Sequence, residues 1–351
     1  MAIDGDKLQQ LMDKMFGDVG AAMGSALVLL GDKFGFYKKL ASDGPLTAAE
    51  LAAKTGTVER YVREWTAQQA AAGYINYDAN SGRFSISPEQ ALLLADETGP
   101  AFFPAMYEIV AATLRDEPKV ANAFRNGGGV GWHEHDPCLF SGTERFFRPS
   151  YAMHLVSEWI PALEGVREKL ERGARVADVG CGHGASVILM AKAFPKSKFF
   201  GFDYHQPSID RAREIAREQG VADRATFERA SAKDYPGTYD LVAFFDCLHD
   251  MGDPVGAAAH VKSTLAKDGT WMVVEPFGND KLVDNLNPVG RVFYAASTMI
   301  CVPASLSQEV GLGLGTQAGE ARLREVLTKG GFSRVRHATA TPFNLVLEAR
   351  P

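Results

Sequence analysis

Val176-Ala-Asp178-Val-Gly180-Cys-Gly182-His-Gly184 joins an apolar run to a helical one, and its reading decides the fold. Glycines at alternate positions let the backbone turn tightly and approach a ligand closely. The helix that follows presents unpaired N–H groups at its start. Cys181, inside the loop, reads as a small residue that fits there. Around this stretch the chain alternates between strand and helix patterns, as a parallel sheet requires. Strands are predicted over 175–179, 198–203, 225–229, 239–245 and 269–276, and helices over 184–194, 208–219, 254–265 and 317–329. Two final strands, 333–338 and 343–349, are joined through Thr341-Pro342. So short a connection requires an antiparallel pair. The predicted class is α/β.

Asp203 ends the second strand, where an acidic side chain can take both hydroxyls of a ribose. Two kinds of nucleotide cofactor fit this start. Gly180, Gly182 and Ala185 satisfy the degenerate dinucleotide pattern. Asp178, however, puts a carboxylate where dinucleotide-binding strands carry an apolar residue, and it suits a ligand bearing an ammonium group. The further strands in one unit and the terminal antiparallel pair also point away from the dinucleotide fold.

The chain has 351 residues, 46% apolar and 23% charged. At ~150 residues per domain this indicates two or three domains. The composition excludes a disordered, collagenous or disulfide-stapled protein. No apolar run reaches the ~18 residues of a membrane span. The longest, Val19 to Leu30, is rich in Ala and Gly and bounded by Asp18 and Asp32. The first residues, Met-Ala-Ile-Asp-Gly-Asp, lack the basic region and apolar core of a signal peptide. Four widely spaced cysteines, Cys138, Cys181, Cys247 and Cys301, form no CxxC and fit the reduced thiols of a cytoplasmic protein. With a net charge of −6, the surface as a whole does not attract polyanions.

Residues 44–87 read as a winged helix. Thr47 and Glu50 make a capping box, with Leu46 and Leu51 at the staple positions. Val58, Tyr61, Val62, Trp65 and Ala72 share one helical face, interrupted by the polar Gln69, and Gly73 stops that helix. Ile75 and Tyr77, then Phe84 and Ile86, alternate around the turn at 78–82, a hairpin pattern. An apolar helix, roughly Ala22 to Leu40, precedes them. Residues 96–170 read as aromatic-rich connecting helices, broken at Gly127-Gly128-Gly129. The predicted domains are 1–95, a connector and cap at 96–170, and the sheet domain at 171–351, with an insertion at 278–315 as a further cap.

From these motifs the sequence resembles the class I S-adenosylmethionine-dependent methyltransferases, over about residues 165 to 351. Asp178-x-Gly180-x-Gly182-x-Gly184, Asp203, Ser231-Ala232, Tyr239 to Asp246, and Gly331-Phe332 carry the resemblance. It implies a Rossmann-like sheet with an antiparallel terminal strand, preceded by an α-helical winged-helix domain. It also implies S-adenosylmethionine as cofactor and S-adenosylhomocysteine as product. The implied cofactor residues are Asp178, Gly180, Cys181, Gly182 and Gly184 along the loop and Asp203 and Tyr204 at the ribose. Ser231 and Ala232 would lie near the adenine, and Asp246 near the amino-acid end.

The winged helix and connector are similar to those of small-molecule O-methyltransferases and of bacterial winged-helix methyltransferases. That resemblance implies a dimerisation role for the first domain and a homodimer. It also implies His249 as general base, with Asp250 beside it and Glu275 steadying it. Two positions depart from that pattern: Met251 stands for a tryptophan, and Gln317 for a second glutamate.

An imidazole with a reference pKa of ~6.5 suits a phenol of ~10, and no metal is needed for that chemistry. Phe146, Phe147, Tyr151, Phe277, Phe293, Tyr294 and Met299 would line an apolar pocket for a flat small molecule. Plainer readings stand beside these. Glu275 could pair with Arg291, and His133 with His135 reads as a polar lid loop rather than a metal site. His154 and Tyr151 fit core packing as well as a cofactor-facing role. Asp253-Pro254 reads as an N-cap and first-turn proline.

Two competing functions are a winged-helix transcriptional regulator and a ligand-binding protein without turnover. DNA binding needs a basic recognition helix. Residues 1–95 carry nine Lys/Arg against eleven Asp/Glu, a net of −2, so nucleic acid is not the expected partner. A membrane partner is not expected either.

Overall fold

Asp4 starts the first helix by accepting bonds from the Asp6 and Lys7 N–H groups, and that helix runs Gly5–Lys33. The helix expected from Ala22 to Leu40 therefore begins much earlier, and it breaks before Leu40. Gly35 takes the left-handed conformation, φ 69°, and a second helix follows at Phe36–Asp43. The computed structural model describes residues 3–99 and 101–351. Its contacts divide the chain into two units, Met1–Ala112 with Ser141–Pro149, and Thr113–Phe140 with Ser150–Pro351.

In the first unit, Val28, Phe36, Tyr37, Leu40, Leu51, Val62, Trp65 and Ile75 form one core. Gly31 sits so close to Tyr37 that an added Cβ would lie 2.5 Å from its ring. The Thr47–Glu50 capping box forms and opens the helix Ala48–Thr55. The next helix is Glu59–Ala71. Gln69, polar on an apolar face, is fully buried and accepts a 2.5 Å bond from the Tyr37 hydroxyl. β1 (Asn76–Asp78) and β2 (Arg83–Ser85) make the antiparallel wing, and Phe84 bridges back to Leu46. Arg83 clamps the wing to the capping glutamate, at 2.7 and 2.9 Å from the two Glu50 oxygens. A further short helix, Pro88–Leu94, opens with its own Ser87–Gln90 box.

The second unit holds a seven-stranded sheet. Its strands are β3 (Arg175–Val179), β4 (Lys198–Asp203), β5 (Ala225–Arg229), β6 (Tyr239–Phe245), β7 (Leu265–Pro276), β8 (Arg334–Ala340) and β9 (Asn344–Arg350). The order is β5-β4-β3-β6-β7-β9-β8. β3 to β7 run parallel, and β9 enters antiparallel between β7 and β8. β7 begins four residues before the predicted 269. Ala177, Val242, Phe244, Trp271, Val273 and Leu347 on one face, and Val176, Leu241, Ala243, Met272, Val274 and Val346 on the other, are buried, as expected of a sheet covered on both sides.

Helices Ala185–Ala193, Gln206–Glu218, Pro254–Thr264 and Gly319–Lys329 lie within a residue or two of expectation. Asp253 caps the third of these by accepting from the Gly256 N–H, with Pro254 in its first turn.

The 278–315 insertion is largely helical, with Pro288–Ala296 running through a π-turn, Ser297–Cys301, into Val302–Leu306. By length and composition, stretches inside Gly5–Lys33 and Pro288–Leu306 are apolar enough to cross a membrane. That departs from the expectation of no such run, because an 18-residue stretch holding up to two charged residues still averages as apolar. Core helices of globular proteins meet the same criterion.

Candidate active site

The parallel strands end along one edge, and that edge carries the candidate residues. Gly180, Gly182 and Gly184 all have positive φ, at 76°, 51° and 80°. An added Cβ at Gly180 would meet Cys247 Sγ at 2.8 Å, and one at Gly184 the Phe227 ring at 2.5 Å. At Gly182 it would meet nothing within 4 Å. Gly182 is therefore the open member of the loop. Cys181 is buried, with its sulfur against Gly201, consistent with a small filling residue.

Asp178 is buried at the end of β3. One of its oxygens accepts from the Ser186 hydroxyl. The other, Oδ1, is buried without a partner among the described residues. Burial pushes this carboxyl up to about 7, with the Ser186 bond opposing and the Asp203 charge adding. An orphaned buried oxygen of this kind is open to a donor from a ligand or a water.

Asp203 holds the loop from the next strand. It accepts from the Gly182 N–H at 2.9 Å and the His205 N–H at 2.8 Å. Burial raises it, and those two backbone donors pull it back. Tyr204 follows, partly exposed, with its ring edge-on to His133. Ser231 and Ala232 lie in the turn after β5, where the Ser231 N–H donates to Asp234. The Ala230 N–H bonds the Asp203 carbonyl, so this turn is tied to the same edge.

Asp246 ends β6 in the left-handed region, φ 51°. Its carboxylate accepts from the Tyr151 hydroxyl at 2.8 Å and from Asn344 Nδ2 at 2.9 Å. Burial pushes it up to about 8, with the Glu275 charge adding to the shift. Strain at a non-glycine residue is expected where a site over-determines the backbone. Asn344 was not expected. No local pattern marks it, and the register that sets it opposite Pro276 brings it here.

His249 lies in the 3₁₀ turn Leu248–Asp250 and is 3% exposed. Glu275, at the end of β7, approaches its Nδ1 at 2.5 Å and accepts from the Leu248 N–H at 2.9 Å. Glu275 thus pairs with His249 and not with Arg291. On the other side, His249 Nε2 is 3.2 Å from Asp250 Oδ1. Burial alone would lower the imidazole, but the Asp250 and Glu275 carboxylates outweigh it and raise it well above its ordinary value.

The later part of the insertion secures this turn. Ser305 Oγ donates to the Met251 carbonyl, and Gln308 donates to that of Asp250, each at 2.9 Å. Gln317, expected where a second glutamate would stand, donates instead to the Phe277 carbonyl at 3.1 Å. Cys301, which no sequence pattern selected, brings its sulfur within 4.8 Å of ligand atoms of His249 and Asp250.

The remaining candidates scatter. Tyr151 packs against Phe245 and Trp159. Phe277 is half-buried against the sheet core, and Tyr294 accepts a long bond from Asn285. Phe147 belongs to the first unit, beside Phe146. His154 stacks on Trp159 and bonds Glu158. The polar loop expected at His133–His135 holds in part. His133 is exposed, but His135 is buried and bonded to Asp116 at 2.9 Å, because the helix Pro104–Asn126 brings a carboxylate beneath it.

Comparisons with known proteins bear on both parts of the chain. A family described as a methyltransferase domain matches residues 170–327, and one described as an Rv2258c-like winged HTH domain matches residues 22–96. The mitomycin biosynthesis 6-O-methyltransferase of Streptomyces lavendulae is 26% identical over 84% of this chain and 81% of its own length. The 27-O-demethylrifamycin SV methyltransferase of Amycolatopsis mediterranei is 30% identical over 41% of this chain and 55% of its own length. The chain spans 6% of the polyketide synthase ThaQ of Burkholderia thailandensis, at 35% identity over 33% of this chain.

Among solved structures, the mitomycin 7-O-methyltransferase MmcR aligns with a TM-score of 0.72 at 20% identity, over 99% of this chain and all of that one. Human N-acetylserotonin methyltransferase, solved in complex with SAM, aligns at 0.68 and 18%, over all of this chain and 99% of that one.

Proposed function

We propose that this chain, which joins a winged HTH domain to a methyltransferase domain, transfers a methyl group from S-adenosylmethionine to an oxygen of an apolar small molecule. The observation that carries the reading is the buried Glu275–His249 pair, set along the same strand edge as a glycine loop with an orphaned carboxylate oxygen. The residues present fit the cofactor. Asp178 Oδ1 offers an unpaired acceptor for its ammonium group, and Gly182 leaves the loop open to it. Asp203 with Tyr204 would hold the ribose, Ser231 and Ala232 the adenine, and Asp246 the amino-acid end. When bound, the cofactor supplies an electrophilic methyl group on a sulfonium.

His249 takes the hydroxyl proton of the acceptor at Nε2 in its neutral form. Glu275 holds Nδ1–H and so fixes which nitrogen faces the acceptor. Asp250, beside Nε2, stabilises the imidazolium that forms. Because both carboxylates favour that imidazolium, the neutral base is populated on the alkaline side of neutrality, and turnover should rise with pH there. Positioning supplies much of the remaining rate. Tyr151, Phe277 and Tyr294, all in the second unit, are the apolar candidates for holding a flat acceptor. The 27-O-demethylrifamycin SV methyltransferase and the mitomycin biosynthesis 6-O-methyltransferase among its relatives support that class.

Three further points belong to this reading. The first helix exposes Leu8, Leu11, Met12, Met15, Phe16, Val19 and Met23, which supports a homodimer formed through that helix. The absence of a disulfide among the four cysteines supports a cytoplasmic location. The expected recognition helix pairs its arginines internally, Arg60 with Glu64 and Arg63 with Glu59, each at 2.5 Å, which speaks against a DNA-binding role. Calorimetric titration with S-adenosylmethionine and S-adenosylhomocysteine, with NAD as control, tests the reading. Binding of the first two and not of NAD is expected. Absence of both from folded protein would overturn it.

A further inference from the structure

Three donors of different chemistry converge beside the candidate base. His249 Nε2, a carboxylate oxygen of Asp250 and Cys301 Sγ all lie within 4.8 Å of one another. The first two are 3.2 Å apart. Zinc bonds of ~2.0–2.3 Å in a tetrahedron separate neighbouring ligand atoms by roughly 3.3–3.8 Å, so shifts of about an ångström or less close this set on an ion.

The donors are also held from behind. Glu275 grips His249 Nδ1 and the Leu248 N–H together, which turns Nε2 toward Cys301 and Asp250. A carboxylate behind the remote ring nitrogen is the usual support of a metal-bound histidine. Ser305 and Gln308, just after Cys301 in the chain, bind the carbonyls of Met251 and Asp250 and so fix the two segments against each other. Asp250 Oδ1 is shut off from solvent and, beyond the 3.2 Å approach of His249 Nε2, has no hydrogen-bond partner among the described residues. The methyl-transfer scheme leaves the Cys301 thiol without a task.

We propose that His249, Asp250 and Cys301 bind a thiophilic divalent cation, zinc above all, and that its occupancy blocks the base. One nitrogen, one oxygen and one sulfur suit zinc and disfavour magnesium, which needs a near-octahedral set of oxygens. The binding is a ligand exchange without redox change. Metal–nitrogen, metal–oxygen and metal–sulfur bonds form, and the thiol proton, with any proton on Nε2, passes to solvent. Affinity therefore rises with pH. A fourth position stays open to water or to an acceptor oxygen. The binding itself is independent of the methyl-transfer reading, whereas its inhibitory consequence rests on it.

Cobalt titration of the reduced full-length protein under anaerobic conditions tests the site. A near-ultraviolet thiolate-to-cobalt charge-transfer band, saturating at one equivalent and displaced by zinc, is the expected result. Cys301→Ser should abolish it, while Cys181→Ser and Cys247→Ser retain it. No band from folded protein, or a band that survives Cys301→Ser, overturns the site. Should Cys301→Ser lose its native circular dichroism, Asp250→Asn decides instead. Its cobalt affinity should fall about tenfold or more, and unchanged affinity overturns the site.

Turnover with and without zinc, each variant referred to its own zinc-free rate, reads the second half. Zinc should suppress wild type and spare Cys301→Ser. Bound zinc without suppression overturns the inhibitory role. A cobalt band in a protein that methylates nothing, even without zinc, leaves the site standing and defeats the functional reading.

Discussion

The glycine loop and the His249 cluster sit on the same strand edge and are built in opposite ways. The loop takes its shape from neighbours in sequence. Asp178, three positive-φ glycines and Ser186 fall within a few residues, and the Phe202 carbonyl and Asp203 carboxylate that also hold the loop are adjacent at the end of β4. The cluster is gathered from the turn after β6, the end of β7, a π-turn in the insertion and the chain that follows it. A loop that grips a nucleotide needs a backbone conformation. A group that moves a proton needs a tuned environment, and that comes from several directions.

Four changes put this contrast to the test. His249→Ala should lower turnover by roughly 10²–10⁴-fold and leave cofactor affinity as it was. Steady-state rates with calorimetry check it, and undiminished turnover would make His249 a bystander. Removing the Asp203 carboxylate as Asp203→Ala should do the reverse, weakening cofactor binding by about 10–100-fold while the Glu275–His249 pair persists. Unchanged affinity would sink the ribose assignment.

Glu275→Gln should slow turnover by about tenfold and move the alkaline rise of the pH profile to lower pH, since one of the two carboxylates that raise His249 is gone. A slowed enzyme with an unmoved profile would leave Glu275 a structural role alone.

The smallest effect is on stability. Folded Asp178 keeps its proton up to about 7, against 3.8 for an ordinary aspartate. Between those values the folded chain holds more protons than the unfolded one, so stability falls as pH rises through that window. Asp178→Asn should remove that fall and stabilise the apo protein near pH 8 by about 2 kcal/mol, while weakening cofactor binding. His249 contributes in the same sense. Its folded value is raised, so its stabilisation is full below ~6.5 and lost as pH climbs through the folded value. Thermal melts across pH for wild type and Asp178→Asn would show it, and parallel curves would contradict it.

Much of the fold was legible in the chain. The Thr47–Glu50 box, the Asp253-Pro254 helix start and the short Thr341-Pro342 connection each depend on contacts within a few residues, and each appears as read. The first helix was misplaced because its true start is an aspartate cap far from the apolar stretch that drew the reading. Its end was misplaced because Gly35 adopts a conformation the apolar pattern does not record. Along the candidate site, Asp178 and Asp203 follow from strand ends that periodicity locates, whereas His249 and Glu275 came from the resemblance to the O-methyltransferases.

By itself, then, the sequence determined the alternation of strands and helices, the glycine loop and the identity of the residues at each strand's carboxyl end. Hydrogen-bonding and burial patterns repeat over two to four residues and leave a trace in the order of residue types. The tertiary structure decided which of those groups meet. It set Asn344 and Tyr151 on Asp246, Tyr37 on Gln69, Asp116 under His135, and Cys301 beside His249 and Asp250. Each of those meetings joins segments far apart in the chain. No local periodicity encodes them, because sheet register and helix packing fix them after the elements have formed.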